Sequence, residues 1–389
     1  MQTCQWVQRA GGRTVIPKPC YGEICRSWMA CVPARIVARR LADGAAAIRL
    51  TGQQAGVEDM SGETVTSPAA GSEDGPGRMM AGRPGGLSAI GGTPVIRLAR
   101  LADDRCAEVW VKMEAANPTG SYKDRMALAM IEAAEADGRL RPGQVVVEYT
   151  GGSTGSSLAF VCAVKGYPLR IVSSDAFADE KIHTMRAFGA DVELIPSPEG
   201  ITPGLIPAMM RRAAEITAEI GAFATDQFHN TDMVDGYRQL GEELLDQLPG
   251  PPPISAFCSY VGTAGCFLGV SRALAGALPT LHRVVVEPGE SAVLSGAPPG
   301  IHHIEGGGIG HRPPQLYPAD YDEVIAVPEA QAFKMARLAA RTEGIFSGPS
   351  TGANLAAARE TAGRLGPGHR VVTIQVDSGL KYLAGQLYS

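Results

Sequence analysis

The chain has 389 residues, of which 45% are hydrophobic and 19% charged, with a formal net charge of −5. That length and composition suit two domains with substantial cores. The charge, with no basic stripe and no RNA-module aromatic motif, argues against a nucleic-acid partner, and no apolar run is long enough to cross a bilayer as a helix.

Residues 1–86 stand apart. Residues 1–50 carry eight Arg or Lys against only Glu23 and Asp43, and residues 52–86 hold nine Gly and three Pro with no aromatic residue. The second stretch cannot bury enough apolar surface to order itself. A disordered tail, a basic targeting peptide, or upstream sequence read from a wrongly chosen start all fit, with Met60, Met79 and Met80 as alternative starts. No clean apolar segment near the N-terminus suggests a secretory signal. Eight cysteines (Cys4, Cys20, Cys25, Cys31, Cys106, Cys162, Cys258 and Cys266) form no CxxC pair. Reduced thiols in a cytoplasmic compartment are expected, with no disulfide framework. Zinc through Cys20, Cys25 and Cys31 lacks a fourth ligand and suitable spacing, so no metal is expected.

From Leu87 onward, apolar strands alternate with helical runs. Strands are predicted at 145–149, 169–173, 192–195, 254–261, 283–286, 324–327 and 370–376. Helices are predicted at 155–165, 179–189, from about 265, near 329–342 and at 351–363. Such alternation predicts parallel α/β sheets. Near-continuous apolar strands imply that both sheet faces are covered.

Three loops carry the chemistry. The first, Asn117-Pro118-Thr119-Gly120-Ser121-Tyr122-Lys123-Asp124-Arg125, sets a lysine at the mouth of a helix. The positive end of the helix dipole disfavours its charged form there, and a lysine of lowered pKa suits Schiff-base chemistry. Alone, it reads more readily as a solvated first-turn lysine. The second loop, Thr150-Gly151-Gly152-Ser153-Thr154-Gly155, follows a strand and opens a helix. Its glycines admit close backbone approach, and its amides suit an anion such as a substrate carboxylate; an ordinary turn with hydroxyl N-caps is the alternative. The third, Gly262-Thr263-Ala264-Gly265-Cys266, also joins a buried strand to a helix. Without a Walker lysine it does not suit a nucleoside triphosphate, but its amides can hold a phosphate monoester. A lysine, a phosphate cup and a carboxylate loop together match the needs of a pyridoxal 5′-phosphate enzyme.

Over about 87–389 the chain resembles the O-acetylserine sulfhydrylase (cysteine synthase) family of fold type II pyridoxal phosphate enzymes. Ala89 to Leu98 resembles AIGNTPLVRL, Asn117 to Arg125 resembles NPxxSVKDR, Thr150 to Gly155 resembles TSGNTG, and Gly262 to Cys266 resembles GTGGT. Glu343 to Gly352 resembles EGILAGISSG, Asp377 to Leu383 resembles DTGERYL, and Gln227-Phe228 sits where the family has its QF. The resemblance implies two three-layer α/β domains of the tryptophan synthase β type, with the cofactor in the cleft between them. Residues 87–127 plus 236–389 would form the larger, cofactor-binding domain, and 128–235 a smaller mobile one. It makes Lys123 the Schiff-base lysine and general base, and Gly262, Thr263, Ala264, Gly265 and Cys266 the phosphate cup. Ser350 becomes the partner of the pyridine nitrogen, while Thr150, Gly151, Gly152, Ser153, Thr154 and Gln227 contact the substrate. Ser153 stands where the family has an Asn that touches the cofactor ring, Gly151 replaces a serine, Cys266 a threonine, and Leu380-Lys381 a Glu-Arg pair.

A neutral hydroxyl at the ring nitrogen implies β-replacement on an O-activated serine, with sulfide or another thiol displacing acetate to give L-cysteine. A β-eliminating lyase of the same fold, or a cofactor-binding scaffold without turnover, are the alternatives. The family further implies a homodimer and an encounter with a serine acetyltransferase. His183 reads as a surface residue, and Gly306 to Gly310 as a loop bordering the cleft.

Overall fold

Strand and helix alternate through the computed structural model, which describes Arg83, residues 85–199 and residues 204–389. The expectations for 1–86, including the alternative starts and the first four cysteines, lie outside the described residues apart from Arg83, Gly85 and Gly86. A 3-10 turn spans Gly85–Ala89. The elements then follow as β1 (Val95–Arg97), β2 (Glu108–Met113), α1 (Lys123–Ala136), β3 (Val146–Tyr149), α2 (Ser153–Lys165) and β4 (Leu169–Ser174). Next come α3 (Asp179–Ala187), β5 (Asp191–Ile195), α4 (Leu205–Ile220), β6 (Phe223–Ala224) and α5 (Asp232–Gln247). The remainder is β7 (Ile254–Tyr260), α6 (Gly265–Ala277), β8 (His282–Pro288), β9 (Glu323–Val327), α7 (Glu329–Glu343), α8 (Pro349–Leu365) and β10 (Arg370–Gln375).

Two sheets result among the described residues. One has the order β1-β2-β10-β7-β8-β9, the other β5-β4-β3-β6. Neighbouring strands run parallel, as the alternation predicts, except that β1 pairs antiparallel with β2. The short return between residues 97 and 108 explains the exception, because a parallel crossover needs a dozen or more residues.

Side-chain alternation along the strands sorts the core. On one face of the larger sheet, Val109, Val111, Ala256, Cys258, Val284 and Val286 pack with Ala332, Met335 and Ala339 of α7 and Leu355 of α8. On the other face, Phe257, Val285, Val372 and Ile374 join a cluster with α1, α2, α5 and α6 that also takes Val146 and Ile171 from the smaller sheet. The smaller sheet's second face, Val147 and Val172, is covered by Leu205, Met209 and Ile216 of α4. Period-two alternation thus covers both faces of each sheet with helices. Each fully buried Leu, Ile, Val or Phe contributes about 1.5–3 kcal/mol by leaving water. The loops at the strand ends carry little of that burden and are free to hold polar chemistry.

Candidate active site

Lys123 is the first residue of α1 and is buried. Its Nζ lies 5.2 Å from the Tyr122 ring centroid, and it makes no hydrogen bond or ion pair among the described residues. Burial lowers its pKa to about 8, against the opposing pull of Cys266 and Glu148. The depressed value therefore has desolvation as its main source, a cause that the helix-terminus reading of the sequence did not include. The loop before it is rigid: Asp124 accepts from Thr119 N at 2.8 Å, from Thr119 Oγ1 at 2.5 Å and from Ser157 Oγ at 2.6 Å. Ser157 lies on α2, so the lysine loop and the carboxylate loop's helix are fastened together.

The loop Thr150–Thr154 leaves β3 and enters α2, which begins at Ser153, two residues before the sequence places it. Ser153 and Thr154 therefore belong to the first helical turn. The N-cap is Gly152 and no side chain caps it, so the hydroxyl N-cap alternative is not what forms. Gly152 N donates to Thr150 Oγ1 at 3.1 Å. An added Cβ on Gly151 would stand 2.3 Å from the Phe177 ring, so a larger residue there needs that side chain to shift. Thr154 Oγ1 donates to Gln227 Oε1 at 2.8 Å, so two candidates 73 residues apart in the chain meet at one point. Behind them, Glu148 accepts from Thr225 Oγ1 at 2.7 Å and from Gln227 N at 3.1 Å, and burial raises its carboxyl to about 7.

Gly262–Cys266 connects β7 to α6. Ala264 is left-handed at φ 69°, an uncommon conformation for a residue with a side chain. Successive amides around such a residue turn inward as an anion-binding nest. An added Cβ on Gly262 would lie 2.3 Å from the Gly306 carbonyl oxygen, which brings the Gly306–Gly310 loop against the candidate phosphate cup. Cys266 is buried, and burial raises its thiol far above the ordinary range, so it stays protonated. Cys266 and Lys123 each act electrostatically on the other, which places them in one neighbourhood.

Ser350 lies in the first turn of α8, buried, with its Oγ unpartnered. Ser347 Oγ and Asp377 Oδ1 are likewise buried without partners. The lysine and serine regions share an anchor: Tyr122 N donates to Val376 O at 3.0 Å, and Val376 N donates to Thr351 Oγ1 at 3.0 Å. Buried polar groups are normally paired. A free amine, an orphaned hydroxyl and a nest of amides fit a bound group that brings a carbonyl, a ring nitrogen and a phosphate. Among the described residues, no cluster of three or more His, Cys, Asp or Glu is arranged to hold a metal.

Sequence reasoning missed several contributors. Glu148, Lys181 and Glu305 are among them, and the carboxylate in the apolar run Val145 to Tyr149 was the one available signal. Lys381 was noted only as a departure, yet its Nζ donates to Ser153 Oγ at 3.2 Å. His183 is exposed, consistent with a surface residue.

A family model described as "Pyridoxal-phosphate dependent enzyme" matches residues 87–377. A cysteine synthase of Staphylococcus aureus (strain Mu50 / ATCC 700699) is 42% identical over 301 residues, covering 77% of this chain and 95% of the relative. The structure of O-acetylserine sulfhydrylase isoform 3 from Entamoeba histolytica superimposes with a TM-score of 0.74 at 33% identity, covering 82% of this chain and 94% of that one. O-ureido-L-serine synthase gives a TM-score of 0.74 at 33% identity, covering 79% of this chain and 95% of that one.

Proposed function

The chain belongs to the pyridoxal-phosphate dependent enzyme family, and we propose that it is a transferase catalysing β-replacement on O-acetyl-L-serine, with sulfide giving L-cysteine and acetate. Its relatives include a cysteine synthase and an O-acetylserine sulfhydrylase, and its fold is the type II fold of that family. The observation that carries the reading is Lys123, a buried amine whose pKa burial lowers to about 8 and whose Nζ has no hydrogen-bond or ion-pair partner among the described residues. A scaffold without turnover has no use for such a group.

Pyridoxal 5′-phosphate, when bound, supplies the electron sink for negative charge at the substrate Cα. The residues that would hold it are Lys123 through its amine, Gly262, Thr263, Ala264, Gly265 and Cys266 around the phosphate, Ser350 at the ring nitrogen, and Ser153. Thr150, Gly151, Gly152, Ser153 and Thr154 seat the substrate carboxylate, with Gln227 beside them. The neutral Lys123 amine takes the proton from Cα. The Cβ–O bond breaks and acetate departs with the electron pair. Sulfide then forms the new bond to Cβ, and the Lys123 ammonium returns a proton to Cα. Release of acetate before sulfide enters is a ping-pong order. The neighbour named O-ureido-L-serine synthase makes an O-substituted serine, so the nucleophile is the finer part of this reading.

The division into a larger body, 87–127 plus 236–389, and a smaller one, 128–235, belongs to the same proposal, and closure of the smaller body excludes water from the reacting atoms. So do a homodimer, a cytoplasmic location and an encounter with a serine acetyltransferase. The test is to mix the cofactor-loaded protein with O-acetylserine, follow the visible band, and add sulfide. A spectral change that sulfide reverses, with acetate and cysteine formed in equal amounts, is the expected result. A band indifferent to O-acetylserine removes this substrate, and elimination to pyruvate and ammonia regardless of sulfide moves the assignment to a lyase.

A further inference from the structure

A cation that the chemistry above does not use stands beside the loop assigned to the substrate carboxylate. Lys181, in the first turn of α3, is 4% exposed. Its Nζ stands 3.6 Å from where a Cβ on Gly152 would be and 4.8 Å from the Tyr382 ring centroid. Its one ion pair among the described residues is with Glu305, 124 residues further along the chain.

The two partners differ in how firmly they are held. The Lys181 side chain is 4% exposed, whereas that of Glu305 is 36% exposed. Glu305 heads a loop in which Gly306, Gly308 and Gly310 all have positive φ, between 63° and 96°, so its backbone conformation owes little to side-chain packing. Lys381 Nζ reaches Ser153 Oγ from another direction at 3.2 Å and forms no ion pair among the described residues. Asp377 and Asp124 act on it electrostatically, and Lys181 repels it. Two ammonium groups and the positive end of α2 thus converge on Gly152 and Ser153. A buried ammonium needs an anion, and Glu305 is an anion that water can readily take back.

We propose that Lys181 is a carboxylate-binding residue of the amino-acid seat, and that Glu305 occupies its ammonium as an internal stand-in for the substrate carboxylate. Binding is then an exchange of ion pairs. The carboxylate of an α-amino acid meets Lys181, and Glu305 swings out into solvent, with no covalent bond made or broken. The inference rests on reading Thr150–Thr154 as the carboxylate seat. It adds a specificity consequence: the apparent affinity equals the intrinsic affinity multiplied by the fraction of molecules in which Glu305 has left.

The test titrates the visible band of the cofactor-loaded full chain with O-acetylserine and with L-alanine, which has the carboxylate and amine but no leaving group. Glu305→Gln is expected to tighten binding of both about tenfold, as when a stand-in occupying about nine-tenths of molecules is removed. Lys181→Met is expected to weaken both about tenfold, and Glu305→Gln is expected to add nothing in the Lys181→Met background. Should Lys181→Met fail to retain cofactor, Glu305→Gln and Glu305→Ala decide alone. Weaker or unchanged binding in a Glu305 variant that keeps its cofactor band overturns the inference and makes the pair a brace between the two sheets. If neither wild type nor Glu305→Gln binds an amino acid, the inference also fails. Tighter L-alanine binding by Glu305→Gln in a protein that makes no cysteine keeps the inference and loses the proposed activity. Cysteine formation with affinities that Glu305→Gln does not move does the reverse.

Discussion

Lys123 and Arg125 sit two residues apart in the first turn of α1, both buried, and are treated in opposite ways. Arg125 donates to Glu114 Oε2 at 2.7 Å through Nε, to Glu114 Oε1 at 2.9 Å through Nη2, and to Glu243 through Nη1 at 2.7 Å. Lys112 joins the same network, donating to Thr93 O and Glu243 Oε2 at 2.6 Å and to Gln247 Oε1 at 2.9 Å. Burial raises the Glu243 carboxyl, but Arg125 and Lys112 outweigh it and bring it to about 2. Lys123 receives no such company. A charge with its full set of partners fixes geometry, while one without partners is held ready for a ligand. Helix α8 repeats the contrast. Asn354 accepts from Tyr260 N at 2.6 Å and donates to Ile374 O at 2.9 Å, whereas Ser350, one turn earlier, has an unpartnered hydroxyl.

The comparison can be broken most directly at its two ends. Lys123→Ala is expected to abolish cofactor attachment and lower turnover by about 10⁴ or more, as loss of both the attachment point and the general base requires. Thermal unfolding of the cofactor-free variant is expected at or above the wild-type temperature, because the substitution removes a desolvated amine. A fall in stability would mean that Lys123 is structural. Arg125→Ala is expected to do the opposite, costing about 3–5 kcal/mol in denaturant unfolding by stranding Glu114 and Glu243. A loss under 1 kcal/mol would erase the distinction between the two residues.

Two smaller effects sharpen it. Lys123 would hold an aldehyde cofactor through its neutral amine, so cofactor loading of apoprotein is expected to accelerate roughly tenfold per pH unit as pH rises toward about 8, then level off. A rate still climbing at pH 10 would place the Lys123 pKa at its ordinary value. In cofactor-free protein, Asn354→Ala is expected to cost about 1–3 kcal/mol by stranding two backbone groups, while Ser350→Ala stays within about 1 kcal/mol of wild type. Equal losses would show that Ser350 has a partner after all.

The legible and illegible parts of the fold divide along similar lines. Strands β3, β4, β7, β8 and β10 were readable because both of their faces are covered and their sequences are apolar nearly throughout. Strand β2, Glu-Val-Trp-Val-Lys-Met, was not readable because it carries Lys112 into the interior, and only the partners at 93, 243 and 247 make that tolerable. Strands β1 and β6, of three and two residues, are too short for a period to register. At the site, the glycine loops and Lys123 were visible because their chemistry is local. The contacts Lys181–Glu305 and Lys381–Ser153 were not, since each joins segments more than a hundred residues apart. The two departures at Ser153 and Lys381 looked independent in the sequence and prove to touch.

The register of the larger sheet has a consequence for how the molecule comes into being. Strand β10 lies between β2 and β7, and Glu108 pairs with Arg370, 262 residues further along the chain. Strand β2 therefore has only its short antiparallel neighbour until nearly the whole polypeptide has been synthesised. Non-local parallel pairing of this kind is slow, because loop closure must precede any reward. The anchor through Val376 that links Tyr122 to Thr351 immediately follows β10, so the lysine and the serine are brought into one site by the last strand to arrive. A nascent chain lacking its final twenty residues carries the Lys123 loop, both glycine loops and Ser350, but not the strand and the Val376 anchor that bring them together.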